Sequence, residues 1–144
     1  MEGAFKGCSN LTTINFESFD TSNVTSMTDM FTSCEKLVEV DLTPLETNGI
    51  TSLRRMFRKS NLKVVDLSKM DTSNVTDMSE MFYNSSIDTI IFGGKFDTSK
   101  VTTMESMFEC CRTATIDISS FDMSSVVNLQ RMFFCYGETN RFSL

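Results

Sequence analysis

Phe19-Asp20-Thr21-Ser22-Asn23-Val24-Thr25, followed by Met30-Phe31, returns twice along the chain. It recurs as Met70-Asp71-Thr72-Ser73-Asn74-Val75-Thr76 with Met81-Phe82, and as Phe96-Asp97-Thr98-Ser99-Lys100-Val101-Thr102 with Met107-Phe108. Looser copies are Leu45-Glu46-Thr47-Asn48-Gly49-Ile50-Thr51 with Met56-Phe57, and Phe121-Asp122-Met123-Ser124-Ser125-Val126-Val127 with Met132-Phe133. The Met-Phe pairs lie 26, 25, 26 and 25 residues apart, and a step of 26 back from Phe31 lands on Phe5. Self-similarity at such a period marks a repeat protein, in which each unit buries its apolar face against its neighbours.

A third block keeps the same step. Leu37-Val38-Glu39-Val40-Asp41-Leu42 is echoed by Leu62-Lys63-Val64-Val65-Asp66-Leu67, and more loosely by residues 11–16, 87–92 and 113–118; Phe142 and Leu144 continue the pattern. Apolar residues at 40 and 42 flank a polar one, the period-2 pattern of a half-buried strand. The pattern L-x-x-V-x-L is that of a leucine-rich repeat. Between strand blocks, Val24, Met27, Met30, Phe31 and Cys34 form one apolar stripe at helical spacing. Asp20, Thr21, Ser22 and Asn23 before it can cap such a helix. A second short strand at Val24-Thr25, with the helix starting near Ser26, accommodates the same residues. The helix has about two turns and needs packing on both sides to persist.

The Phe-Asp-Thr-Ser-Asn-Val-Thr block, the Met-Phe pair, a cysteine three residues later at Cys8, Cys34 and Cys111, and the Val-Asp-Leu strand together resemble the repeats of BspA-like leucine-rich-repeat surface proteins. The resemblance covers essentially the whole chain. It departs at residues 45–51, and at Cys110 and Cys135, which sit one place early. It implies a bacterial or protist cell-surface or secreted protein, including lipoproteins, acting in adhesion or in binding host or neighbouring-cell proteins. It brings no catalytic residues.

These readings predict one α/β domain over residues 1–144: a right-handed leucine-rich-repeat-like solenoid of about six 25/26-residue repeats. Short parallel strands occupy one face and short helices the other. The chain starts in mid-repeat and ends on a strand, Arg141 to Leu144. Phe5, Phe31, Phe57, Phe82, Phe108 and Phe133 form one inner column, and Phe19, Leu45, Met70, Phe96 and Phe121 another. Without caps, Phe5, Leu11, Phe16, Phe142 and Leu144 are expected to be partly exposed, which favours end-to-end self-association.

Composition narrows the function. The 144 residues are 40% hydrophobic, with 13 Phe and 11 Met, and contain no His, which removes the commonest general base and metal ligand. A net charge of −6 argues against nucleic acid as a partner. No apolar run approaches the roughly 18 residues of a membrane span, and residues 1–6 lack the apolar core of a signal peptide. The five cysteines have no zinc-site spacing and read as small buried hydrophobes. Neither catalytic nor metal nor cofactor residues emerge. The expected function is a non-enzymatic protein-binding or adhesion module, with a structural spacer presenting another domain as the alternative.

The outward strand positions are the natural binding face. One column is Asn15, Asp41, Asp66, Ile91 and Asp117, and the adjacent one is Thr13, Glu39, Val64, Thr89 and Thr115. A solvated acidic face, a basic protein partner and a bound cation all fit it; the binding candidates are Asn15, Glu39, Asp41, Asp66, Ile91 and Asp117. A basic patch gathers Arg54, Arg58 and Lys59 with Arg55 and Lys63. The step predicts that Arg55 pairs with Asp29 and Glu80, leaving Arg54, Arg58 and Lys59 unassigned. Two threonine columns (Thr21, Thr47, Thr72, Thr98 and Thr25, Thr51, Thr76, Thr102) suit backbone hydrogen bonding in turns better than ordering of surface water. Asn-x-Ser/Thr occurs at Asn10, Asn23, Asn74 and Asn84, which bears on function only in a glycosylating secretory pathway.

Overall fold

A computed structural model describes residues 1–113 and 115–135. The expected strand Arg141 to Leu144 and the expected exposure of Phe142 and Leu144 lie outside the described residues. Among those described, the expected α/β leucine-rich-repeat solenoid is overturned: there is no helix, and the strands number two instead of six. These are β1 (Val64–Asp66) and β2 (Thr89–Ile91). They pair in parallel, Val64 with Thr89, Val65 with Ile90 and Asp66 with Ile91.

The absence of helix has a local cause. Where the stripe from Met27 to Cys34 predicts i→i−4 bonds, alternate N–H groups donate out of the unit. Met27, Asp29, Phe31 and Ser33 donate to the carbonyls of Ser52, Arg54, Met56 and Arg58, one unit further on. The intervening N–H groups of Met30, Thr32 and Cys34 close tight i→i−3 turns onto Met27, Asp29 and Phe31. The pattern repeats in the following units: Leu53, Arg55, Phe57 and Lys59 donate to Asp77, Ser79, Met81 and Tyr83. The zigzag requires left-handed residues. Asp29, Arg55, Glu80, Ser106 and Arg131 have φ of 58°, 57°, 55°, 54° and 58°, and Ser33, Lys59, Asn84 and Cys110 have φ of 59°, 55°, 51° and 53°. Gly3 and Gly7 hold the two corresponding places in the first unit, with φ of 59° and 74°. Left-handed residues four places apart within the same short segment exclude an α-helix there.

The units therefore stack as coils of turns. Isolated parallel bridges follow the chain period: Ser26 with Ser52, Ser52 with Asp77, Asp77 with Thr103, and Thr103 with Asn128. The short-strand alternative at Val24-Thr25 thus falls one residue early and is reduced to a single-residue bridge. Asp20, expected to cap a helix, instead accepts the backbone N–H and hydroxyl of Ser22 in a side-chain turn.

The core runs along the stack. Phe5, Phe31, Phe57, Phe82, Phe108 and Phe133 lie face to face, with centroids 5.4–5.7 Å apart and planes within 10°. The methionines beside them, Met30, Met56, Met81 and Met107, are fully buried. The second column is buried at Leu45, Met70 and Phe96. Phe19, expected inside with them, is 44% exposed, and its ring meets Phe16 edge-on rather than stacking within the column. Phe16, expected at a partly open end, is buried beneath Phe5, Phe19 and Phe31, whereas Phe5 and Leu11 are half-buried.

Buried threonines join the units. Thr21 and Thr47 Oγ1 accept the N–H groups of Glu46 and Asp71 at 2.7 and 2.8 Å, and Thr72 Oγ1 donates to the Asp97 carbonyl. The exposed column Thr51, Thr76 and Thr102 donates to the carbonyls of Thr25, Thr51 and Thr76. These hydroxyls satisfy backbone groups that turns leave without a partner.

Candidate binding face

The turn segments hold the coils tightly together, but the face carrying the strand blocks does not close uniformly. Between residues 87–92 and 62–67 it closes as β2 on β1. Between residues 62–67 and 37–42 the backbone bond is Lys63 N–H to the Val38 carbonyl, and none joins residues 37–42 to 11–16. The N–H groups of Val38, Glu39, Val40, Asp41 and Leu42 consequently donate to no protein acceptor among the described residues. A shallow open hollow of about 550 Å³ lies here, lined by Thr13, Ile14, Glu39, Val40, Asp41, Lys63, Val64 and Asp66.

Of the sequence-predicted residues, the hollow brings together Glu39, Asp41 and Asp66. Asn15 sits in a smaller adjoining depression with Asp41 and Pro44. Ile91 and Asp117 are exposed but line neither depression. The apolar part of the hollow is Ile14, Val40 and Val64, with Val64 44% exposed and nearby Val38 41% exposed. Lys63 is the single cation in its lining, against three carboxylates.

The acidic column also has a local task. Asp41 Oδ1 accepts the N–H and hydroxyl of Thr43 at 2.9 and 2.7 Å. Asp66 and Asp117 accept the N–H groups of Ser68 and Ser119, and Asn15 that of Glu17. Each residue closes the turn that ends its block. The donors hold the Asp41, Asp66 and Asp117 carboxyls below the ordinary Asp value, so all three are charged at neutral pH. One oxygen of each is used in the turn, and the charge stays on the surface.

The basic patch departs from the predicted ladder. Arg55 does pair with Glu80, through Nε and Nη2 at 3.0 and 2.9 Å. Asp29 is taken by Lys6 at 3.0 Å rather than by Arg55. Arg54 and Arg58, which the period leaves unassigned, also converge on Glu80, at 3.6 and 3.3 Å. Arg58 lies over the Tyr83 ring, 4.9 Å from its centroid. Lys59 is exposed. The convergence was not legible from the period, because Arg54 and Arg58 are offset by one and three residues from the position that matches Glu80.

No group of three or more His, Cys, Asp or Glu side chains able to hold a metal ion occurs among the described residues. Burial pushes the thiols of Cys34 and Cys111 up to about 11, which makes them poor nucleophiles at neutral pH. No helix among the described residues is long and apolar enough to cross a membrane.

A protein-family model described as "Mycoplasma protein of unknown function, DUF285" matches residues 1–89 and again residues 51–142. The two placements start 50 residues apart, close to two units, as expected for one repeat pattern laid twice on a periodic chain. The chain belongs to this family. Neither the curated proteins nor the solved structures contain a match to it.

Proposed function

We propose that this DUF285 chain is a non-enzymatic protein-binding module, and that its binding face is the hollow around Glu39, Asp41, Val64 and Asp66. The observation that carries the reading is the opening of the backbone at residues 38–42. There, unpaired N–H groups, exposed valines and three carboxylates occupy one shallow surface. A small molecule is favoured by enclosure, and this hollow is too open to supply it. An extended protein segment meets the same surface with main-chain acceptors, apolar side chains and basic groups.

The charge balance of the lining selects a partner segment rich in Lys or Arg. The resemblance to BspA-like repeats supports an adhesive role at a cell surface or in a secreted protein, lipoproteins included. Such a role requires no catalytic residue. The competing reading is a structural spacer, favoured by the use of Asp41, Asp66 and Asp117 as turn-closing residues.

Surface plasmon resonance of the immobilised chain against purified host matrix glycoproteins tests the proposal. Binding at micromolar concentration or tighter is expected, weakened at least tenfold by Asp41→Lys with Asp66→Lys. A panel without a specific binder, or binding that is indifferent to both substitutions, overturns the proposal in favour of the spacer.

A further inference from the structure

Three guanidinium groups meet one carboxylate at the turn segments of two neighbouring units. Glu80 Oε1 accepts both bonds from Arg55 and lies 3.6 Å from Arg54 Nη2, and Oε2 lies 3.3 Å from Arg58 Nε. Each guanidinium carries five N–H donors and a full charge. One carboxylate neutralises one of the three, and the exposed Lys59, next to Arg58 in sequence, carries a further charge. Of the surrounding acids, Glu109 is paired with Arg131 and Asp29 with Lys6, whereas Glu105 and Asp77 accept from the neutral groups of Asn128 and Ser79 and keep their charge. Four cations thus face three carboxylates, Glu80 included. The Nε atoms of Arg54 and Arg58 are both shut away from solvent and without a hydrogen-bond acceptor.

The excess charge is confined to one unit. Where this unit has Arg54, Arg55, Arg58 and Lys59, the preceding one has Thr28, Asp29, Thr32 and Ser33, and the following one has Ser79, Glu80, Tyr83 and Asn84. A polyanion needs a stripe of cations along its length, and the locus is a single spot on a chain of net charge −6. We infer that Arg54, Arg58 and Lys59 form a site for one tetrahedral oxyanion, the phosphate or sulfate of a monoester. Forked guanidinium donors match such a group, which offers three or more acceptor oxygens. Arg58 is pre-positioned by the Tyr83 ring. Glu80, hydrogen-bonded to Arg55 and within ion-pair distance of Arg54 and Arg58, keeps the arginines together while competing with an anion for them. The site lies on the turn segments and is independent of the strand-face reading.

Titration of the isotope-labelled chain with inorganic phosphate and inorganic sulfate, at constant ionic strength set with chloride, tests this by NMR. Saturable shifts are expected at the amides of residues 54–59 and Tyr83. Arg54→Gln with Arg58→Gln weakens the affinity at least tenfold, Glu80→Gln strengthens it severalfold, and Lys36→Gln, at an exposed lysine that bonds Asn10 rather than any of these residues, leaves it unchanged. Should the double variant fail to fold, Lys59→Gln alone must weaken binding. O-phosphoserine and tyrosine O-sulfate distinguish the two sources, and a preference for either supports the site. Shifts that fail to saturate with every one of these anions, or affinities unaffected by the arginine and Lys59 substitutions, overturn it.

Discussion

The N–H of Asp29 donates to the carbonyl of Arg54 at 2.9 Å, and the N–H of Arg55, one unit on, donates to that of Ser79 at 3.1 Å. Both donors are left-handed, with φ of 58° and 57°. Each unit thus hands every second turn-segment N–H forward to the next unit and spends the ones between on tight i→i−3 turns, which leaves no run of i→i−4 bonds for a helix. The cohesion of the stack lies in these forward bonds and in the phenylalanine column they align.

Lys59→Gly should stabilise the protein. Lys59 has φ of 55°, and its ammonium makes no ion pair or hydrogen bond among the described residues. A non-glycine residue in this region costs roughly 1–2 kcal/mol, part of which glycine gives back through its freer unfolded chain. The net expectation is about 0.5–1 kcal/mol of added stability by denaturant unfolding. In the helix that the sequence spacing suggests, the same change would destabilise by about 0.5–1 kcal/mol.

Phe57→Ala should cost about 3–5 kcal/mol. Phe57 is fully buried, stacked at 5.7 Å on Phe31 and 5.6 Å on Phe82, so its loss opens a gap in the middle of the column. Phe19→Ala, at an exposed edge contact, should cost less than about 1.5 kcal/mol. Equal losses at the two sites in urea unfolding would contradict a column-centred core.

Thr47→Val tests the hydroxyl links. Thr47 Oγ1 accepts the Asp71 N–H at 2.8 Å, and Thr47 is buried. Valine fills the same space and leaves that N–H without an acceptor, at a cost of about 1–3 kcal/mol. The exposed Thr51 donates to the Thr25 carbonyl at 3.2 Å, where water can substitute. Thr51→Val should therefore change stability by less than about 0.5 kcal/mol.

What the sequence disclosed was the period and the residues that share a column; what it concealed was the direction of each N–H. The spacing of Val24, Met27, Met30, Phe31 and Cys34 fits a helix, and it equally fits a run of tight turns that advances its buried residues three or four at a time. The distinguishing signal was small. Gly3 and Gly7 align with Asp29 and Ser33, and glycine in two places four residues apart marks left-handed positions that polar residues occupy in later units. On the binding face, the period places Glu39, Asp41 and Asp66 in adjacent columns. It says nothing about whether neighbouring backbones pair there, because pairing depends on register and distance. The convergence of Arg54 and Arg58 on Glu80 escaped for a related reason, since long side chains reach diagonally across units.

Acid should destabilise the protein from about pH 4 downward. Asp20, Asp41, Asp66, Asp71, Asp97, Asp117 and Asp122 each accept the hydroxyl and N–H of the residue two places on, which lowers their carboxyls. At Glu80 burial acts upward, but the Arg55 hydrogen bonds and the charges of Arg55, Arg58 and Arg54 outweigh it, and the net shift is downward. A carboxyl lowered in the folded state contributes stability that is fully present above its ordinary value. That contribution is lost as pH falls through the lowered value. With no histidine in the chain, the melting temperature should stay level between about pH 8 and pH 5 and then fall. Asp66→Asn separates charge from turn geometry. Asparagine closes the equivalent turn at Asn15 through its Oδ1 to the Glu17 N–H at 2.8 Å, so the variant keeps the turn and loses one titrating group. The variant should be slightly less stable than the parent near neutral pH, by less than about 0.5 kcal/mol, and the difference should shrink below about pH 4, so that its own profile falls less steeply there. A parent profile that rises on acidification would reverse the sign and rule out the turn-bound carboxylates as its source.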